Sequence, residues 1–140
     1  MRLVLPFLAL LLILQSCSSE LFKEVPEDDF IGHWKLEKRG IFDGIEIEIA
    51  RNEDDKLKGK ISKLNDNKYV QMFMEKEGNF IKKIKRYSNT EFDLTERKIA
   101  APLFSIYGES TSNKVQVHFH HKDTIYIGEK GNKGKYIRVK

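Results

Sequence analysis

The sequence contains little cysteine or proline, and its one long apolar run lies at the N-terminus. Its 140 residues include one cysteine and three prolines. A single cysteine excludes a framework of disulfides as the source of stability. Hydrophobic residues make up 40% of the chain and charged residues 33%, which is typical of globular proteins rather than disordered ones. The length predicts one folded domain.

The sequence also lacks the short motifs that mark common enzyme classes. It has no Gly-x-Ser-x-Gly nucleophile elbow, no phosphate-binding loop and no dinucleotide fingerprint. Ser, His and Asp are all present, but no spacing among them favours a catalytic triad. We therefore expect a protein that is not an enzyme and that needs no cofactor.

Residues 1–14 have the organisation of a signal peptide. Arg2 gives a positive end, and residues 3–14 carry no polar side chain. Twelve apolar residues, at 1.5 Å rise per residue, are too short to cross a bilayer core of about 30 Å. The run therefore predicts export rather than a membrane-spanning helix.

The residues after this run resemble the lipobox of bacterial lipoproteins. Leu14, Ser16 and Cys17 match its pattern, while Gln15 departs from the small or apolar residue usual there. The resemblance implies cleavage before Cys17 and attachment of a diacylglycerol to its thiol, which anchors the protein in a membrane. An ordinary secretory signal with an unrelated cysteine, or an uncleaved anchor, is the alternative.

The same resemblance implies a division of the chain and a location. Residues 1–16 would be the cleaved signal peptide, residues 17–29 the lipidated cysteine and a polar tether, and residues 30–140 the folded domain. Ser18 follows the cysteine, which is similar to the default for the outer membrane in Gram-negative sorting. We expect a lipid-anchored protein of the cell envelope, held in the outer membrane of a Gram-negative bacterium.

From Phe30 onward, apolar and polar residues alternate with the period of a β-strand, and turn signals separate the runs. No segment after the leader has the pattern of an amphipathic helix. The sequence therefore predicts an all-β antiparallel meander of about 8 to 10 strands, which must close on itself to hide its edges. The predicted strands cover residues 33–39, 44–51, 56–63, 68–75, 79–87, 90–95, 102–108, 113–120, 123–129 and 134–139.

One hairpin has a predicted register. With a turn centred on Glu53, two sets of alternate residues share the core face, and the opposite face carries acid–base pairs in water. The expected core residues are Ile45, Ile47, Ile49, Leu57, Gly59 and Ile61, and the expected pairs are Glu46 with Lys60 and Glu48 with Lys58. This interpretation makes the two glutamates a solvated strand face rather than a catalytic carboxylate pair.

Two short motifs resemble those of lipocalins and the wider calycin group. Gly32 and Trp34 form a Gly-x-Trp motif at the start of the first strand, and Arg138 lies in the last strand. The resemblance implies an up-and-down barrel in which Arg138 covers the Trp34 ring and closes one end. The domain is short for a lipocalin and lacks the usual C-terminal helix, so any cavity should be small.

The only metal candidates are weak ones. His118 and His120 are two residues apart in a predicted strand, so their side chains point the same way. A metal site would need a third ligand, such as His33, from another strand. Because the alternate residues Val117 and Phe119 belong to the apolar face, surface histidines without a metal are the expected interpretation.

Residues 82–86 form the densest basic run. Alternation prevents Lys83 and Lys85 from sharing a face with Lys82 and Arg86, so either some of these side chains point inward or the strand carries a bulge. The run favours a solvated face, or a patch that touches anionic lipid or an acidic protein surface. Interleaved base-stacking aromatics are few, and we expect no nucleic-acid partner.

Two functions fit these features. The first is a membrane-anchored barrel that binds a small apolar ligand in its interior. The second is an envelope interaction module, such as an inhibitor, an immunity protein or an assembly subunit, that uses its outer surface. A cavity of about 300 Å³ or more would favour the first. An interior filled by large apolar side chains would favour the second; the candidates are Trp34, Ile47, Ile61, Phe92, Val117 and Ile127.

Overall fold

The structure is a computed structural model that describes residues 23–140. The predicted signal peptide, Cys17 and the first part of the tether lie outside the described residues. The described chain contains eight β-strands and two short α-helices. The strands are β1 (Gly32–Glu37), β2 (Glu46–Arg51), β3 (Leu57–Lys63), β4 (Asn79–Arg86), β5 (Glu91–Arg97), β6 (Ser112–His121), β7 (Thr124–Ile127) and β8 (Lys135–Arg138), and the helices are α1 (Lys68–Phe73) and α2 (Ala101–Ile106).

The strands form a closed barrel. Each strand pairs antiparallel with the next along the chain, and β8 pairs antiparallel with β1. In this last pair Trp34 faces Arg138, and Leu36 faces Tyr136. Closure gives every strand a neighbour on each side along at least part of its length, which removes most of the open edge of a flat sheet. The predicted fold class, an all-β up-and-down antiparallel barrel, is confirmed.

The two ends of the barrel carry different connections. The N-terminal end holds residues 23–31 and the short turns at 52–56, 87–90 and 122–123. The opposite end, the helical end, holds the longer connections at 38–45, 64–78, 98–111 and 128–134, which include both helices. Because consecutive strands run in opposite directions, consecutive connections lie alternately at the two ends of the barrel.

The prediction of a strand over residues 68–75 is wrong, because α1 covers most of this segment. The N–H groups of Tyr69 and Val70 donate to Oδ1 of Asn67, at 3.0 and 3.3 Å, and so cap the helix. Val70 and Met74 are buried and lie four residues apart, which is helical spacing, while Met72 is exposed. In a segment this short, the spacing of apolar residues does not distinguish a helix from a strand.

The prediction of a strand over residues 102–108 is also wrong, because α2 begins at Ala101. Pro102 lies in the first turn of α2, where its missing N–H removes no helical hydrogen bond. The expectation of no helix after the leader is therefore incorrect for two six-residue segments. Within residues 23–140, no helix is long and apolar enough to cross a membrane.

The β2–β3 hairpin keeps its predicted core face but has a different register. Glu48 faces Lys60 rather than Lys58, and Glu46 faces Lys63 across a bulge rather than Lys60. The turn is longer than predicted because Oδ1 of Asn52 accepts hydrogen bonds from the N–H groups of Asp54 and Lys56, at 3.1 and 2.9 Å. The predicted core residues are all buried.

Side chains fill the interior of the barrel. Eighteen apolar residues form one cluster, and each is at most 6% exposed. The six residues singled out from the sequence as filling candidates all belong to it: Trp34, Ile47, Ile61, Phe92, Val117 and Ile127 are 0–1% exposed. In a barrel of eight strands, inward side chains are enough to occupy the interior.

Candidate functional site

The N-terminal end brings together the three residues that carry the lipocalin resemblance. The guanidinium carbon of Arg138 lies 4.2 Å from the centroid of the Trp34 ring. Gly32 has a φ of +136°, and a Cβ at this position would lie 2.5 Å from Nη1 of Arg138. Glycine is therefore needed both for the backbone conformation and for the space that the guanidinium occupies.

A 3₁₀ turn at Glu27–Phe30 covers the same end. Nε1 of Trp34 donates to the carbonyl oxygen of Phe30 at 2.7 Å, and the Phe30 ring packs edge-on against Phe92 at a centroid distance of 4.8 Å. Arg138 donates to the carbonyl oxygens of Asp29 and Ile31, at 2.7 and 2.9 Å. These contacts make the N-terminal end a closed structural element.

The helical end is closed inside by a buried polar cluster of Arg39, Glu96 and Tyr136. Nη1 and Nη2 of Arg39 donate to the two carboxylate oxygens of Glu96, at 3.0 and 2.6 Å. The hydroxyl of Tyr136 donates to Oε1 of the same carboxylate. Glu96 is 3% exposed and Tyr136 is 0% exposed. The mouth that would admit an interior ligand is thus occupied by a satisfied ion pair.

This cluster changes the ionisation of two of its members. Burial raises the pKa of Tyr136 well above its ordinary value, and the nearby negative charge of Glu96 adds to the effect. Burial alone would lower the pKa of Arg39, but its hydrogen bonds with Glu96 raise that pKa above the ordinary value. The tyrosine is therefore held neutral and the arginine charged.

Exposed apolar side chains are concentrated at the helical end. Of nine large apolar residues that are exposed in the described chain, seven lie there: Ile41, Tyr69, Met72, Leu103, Phe104, Ile106 and Tyr107. Ile31 and Tyr87, the other two, lie at the N-terminal end. We refer to these seven residues as the apolar end. Exposed apolar residues mark an interaction site where they form a contiguous patch, and the 40–42 turn and helix α1 are in contact here.

Helix α2 contributes the most exposed part of the apolar end. Only Ala101 of this helix is buried, whereas Ile106 is 75% exposed and the following Tyr107 is 82% exposed. An isolated helix of six residues is not stable through its own hydrogen bonds, so most helices this short depend on packing. This helix instead directs its large apolar side chains outward.

The candidate histidines lie on the outside of β6 and pack against a tyrosine. The His120 ring stacks on Tyr126 at a centroid distance of 4.5 Å, and the His118 ring meets the edge of Tyr126 at 5.7 Å. The third ligand considered from the sequence, His33, lies on β1. Within residues 23–140, no three His, Cys, Asp or Glu side chains are grouped so that they could hold a metal ion.

The basic run of β4 contains a bulge, which is one of the two arrangements left open by the sequence. The pairing with β5 shifts between Ile81 and Lys83. Lys83 and Lys85 are exposed, and the guanidinium carbon of Arg86 turns toward the N-terminal end, 4.6 Å from the centroid of the Phe92 ring. The basic residues therefore do not form one continuous face.

Comparison of the chain with known protein families, with curated proteins and with solved structures found no match.

The sequence interpretation missed the buried ion pair, and it did not place the apolar segments around Met72 and Phe104 at one end of the barrel. Glu96 is one of three alternate inward positions of β5, with Phe92 and Leu94, and this alternation could have identified it as buried. Its partner Arg39 lies in a turn, and no local pattern relates the two positions. The apolar segments were not placed together because both helices were predicted to be strands.

Proposed function

We propose that the protein is a lipid-anchored interaction module of the bacterial envelope, with no catalytic activity, whose filled barrel presents the apolar end to a protein partner. The observation that carries this proposal is the filled interior. Ligand-storing barrels keep an internal cavity of several hundred Å³, whereas here the same inward positions hold large buried side chains. The closed mouth at Arg39 and Glu96 supports the same conclusion.

The apolar end is the surface best suited to a partner. Its side chains are large, and in a monomer they leave apolar surface exposed to water. A partner that covers this surface would gain about 25 cal/mol of favourable free energy per Å². Ammonium groups also lie over two of its rings: Nζ of Lys98 is 4.4 Å from the centroid of Phe104, and Nζ of Lys68 is 5.0 Å from that of Tyr69. Aromatic residues and methionine, which the apolar end contains, are enriched in protein interfaces.

The position of the tether agrees with this arrangement. The backbone N–H of Val25 donates to the carbonyl oxygen of Asn89 at 2.9 Å, so the chain enters the barrel at the N-terminal end. A lipid on Cys17 would hold that end toward the membrane. The apolar end, on the opposite side of the barrel, would then face away from the anchoring bilayer and toward a partner.

Native mass spectrometry tests the choice between storage and interaction. Residues 18–140, produced without detergent, should give the mass of the chain alone. A stoichiometric apolar molecule that is lost on organic extraction would contradict the proposal. The control is Phe92→Ala, which removes a buried ring: its cavity should take up benzene, since apolar cavities of about 150 Å³ bind it, while the natural chain should not.

A further inference from the structure

The wall of the barrel is open between β3 and β4, on the half nearer the N-terminal end. The two strands pair at Gly59 with Ile81 and at Lys60 with Asn79. Between these pairs and the N-terminal end, Leu57 and Lys58 of β3 are paired with β2 alone. Residues 83–86 of β4 are likewise paired with β5 alone. Within the described chain, residues 82–86 therefore have no strand on the β3 side.

A glycine lets the two strands approach closely at one point, and a bulge just beyond it separates them. A Cβ at Gly59 would lie 2.9 Å from Cβ of Ile81, so the strands are close there only because position 59 has no side chain. The bulge in β4 follows at once, between Ile81 and Lys83. Bulges bend a strand and interrupt its pairing, which here directs the rest of β4 away from β3.

A lysine side chain bridges the opening in place of a strand. Nζ of Lys58 donates to the backbone carbonyl oxygen of Lys82. In a continuous sheet this carbonyl would accept from a neighbouring backbone N–H. The β3-facing side of β4 thus has a backbone acceptor that is directed toward the opening and is bound by a lysine side chain rather than by a backbone N–H.

The opening forms a groove of about 380 Å³ whose lining includes apolar side chains, five cationic side chains and the carboxylates of Glu27 and Asp55. Leu57 and Ile84 line it with apolar groups, and Lys56, Lys58 and Lys83 supply ammonium groups. Within residues 23–140, no carboxylate lies within 4.0 Å of these three ammonium groups. We refer to this feature as the β3–β4 groove.

The carboxylates near the groove do not neutralise the lysines. Nε of Arg51 lies 3.7 Å from Oδ1 of Asp55, and its Nη2 lies 2.6 Å from Oδ1 of Asp28. Glu27 lines the same end of the groove and adds to the negative charge around Arg51. The acidic groups at the groove therefore lie around Arg51, and in the described residues no carboxylate lies within 4.0 Å of the three lysine ammonium groups.

We infer that the β3–β4 groove binds an extended acidic segment of a protein partner, which adds a strand along residues 82–86 of β4. An unpaired strand edge is a template for such pairing, with main-chain hydrogen bonds providing affinity and side-chain contacts providing specificity. The lysines favour carboxylates on the incoming strand. This site is separate from the apolar end and does not depend on the proposed function.

Nuclear magnetic resonance of the full-length protein in detergent micelles tests the inference with three synthetic peptides. The first alternates valine and glutamate, the second alternates valine and lysine, and the third repeats the acidic sequence with N-methyl groups on alternate residues. We expect the first peptide, at millimolar concentration, to shift the backbone amides of residues 82–86 and 56–58. The other two should leave these amides unchanged.

Two charge-reversal variants locate the site. Lys56→Glu with Lys83→Glu should weaken binding of the acidic peptide about tenfold, since each change replaces an attraction between opposite charges by a repulsion between like charges. Lys35→Glu with Lys114→Glu, on exposed positions of β1 and β6, should leave it unchanged. Equal amide shifts with the N-methylated peptide would show that the peptide binds without strand pairing. No amide shift in residues 82–86 with the acidic peptide would show that it does not bind there. Either result overturns the inference.

Discussion

Arg39 and Glu96 are 57 residues apart in the sequence and meet inside the barrel, where two guanidinium nitrogens donate to both carboxylate oxygens. Their side chains are 9% and 4% exposed. Removing one member of a buried pair leaves the other charge without compensation. The pair connects the β1–β2 turn to β5, and the hydroxyl of Tyr136 completes this buried polar cluster.

Glu96→Ala should lower the free energy of unfolding by about 3 to 5 kcal/mol, because it leaves the Arg39 guanidinium buried without its carboxylate. Urea denaturation followed by the fluorescence of Trp34 measures the change. The matched control is Glu46→Ala, whose carboxylate lies 4.0 Å from Nζ of the exposed Lys63 and should contribute less than about 1 kcal/mol. Equal losses in the two variants would mean that the buried pair is not specially stabilising.

Alkaline pH should destabilise the protein through Tyr136. In the folded chain its pKa is raised well above 10, whereas in the unfolded chain it is about 10. The stability that it contributes is fully present below pH of about 10 and is lost as the pH rises toward the folded pKa, by about 1.4 kcal/mol per pH unit. Denaturation curves at several alkaline pH values should show this loss in the natural chain and not in Tyr136→Phe.

Tyr87→Phe is the control for that measurement, since Tyr87 is 68% exposed and its removal should leave the alkaline slope unchanged. If the natural chain and Tyr136→Phe lose stability in parallel above pH of about 10, the buried hydroxyl is not the group that titrates.

Arg138→Ala should destabilise the barrel by about 2 to 3 kcal/mol, because it removes the contact with the Trp34 ring and several hydrogen bonds at the N-terminal end. Arg138→Lys should recover less than half of this loss, since an ammonium lacks the planar fork that reaches Asp29 and Ile31. Lys35→Ala, at an exposed position of β1, is the control. Full recovery by lysine would show that charge alone matters at position 138.

Cys17→Ala should move the protein from the membrane fraction to the aqueous fraction, since the two or three acyl chains on a lipidated cysteine hold a domain stably in a bilayer. Fractionation of the producing cells, with an alkaline carbonate wash, measures the distribution. Ser18→Ala, next to the proposed lipidation site, should stay with the membrane. A Cys17→Ala variant that stays membrane-bound through an intact leader would contradict the proposal of a lipoprotein.

The features that sequence could predict are those with a local pattern. Alternation at Ile45, Ile47 and Ile49 predicted the core face of β2, and the recurrence of such runs predicted the closed barrel. The hairpin register was two residues off because the side chain of Asn52 lengthens the turn, and turn length sets register. Helices α1 and α2 were mistaken for strands because six residues carry too little periodicity to distinguish them.

The features that sequence could not predict depend on closure. The ion pair of Arg39 with Glu96 forms only when the β1–β2 turn folds over β5, and the β3–β4 groove exists because Gly59 and Ile81 approach closely above a bulge. Neither relation follows from residues that are neighbours in the chain. The apolar end likewise becomes visible only when two separate helices are placed at the same end of the barrel.

Site-specific photo-crosslinking in the producing cells tests the central claim most directly. A photoreactive phenylalanine derivative at Ile106 or Met72 lies on the apolar end, and the same group at Lys35, exposed on β1 and away from the β3–β4 groove, is the matched control. We expect a protein adduct of one discrete mass from the first two positions and none from Lys35. A chain that crosslinks to no protein at the apolar end, while crosslinking at Lys35, would contradict the proposed function.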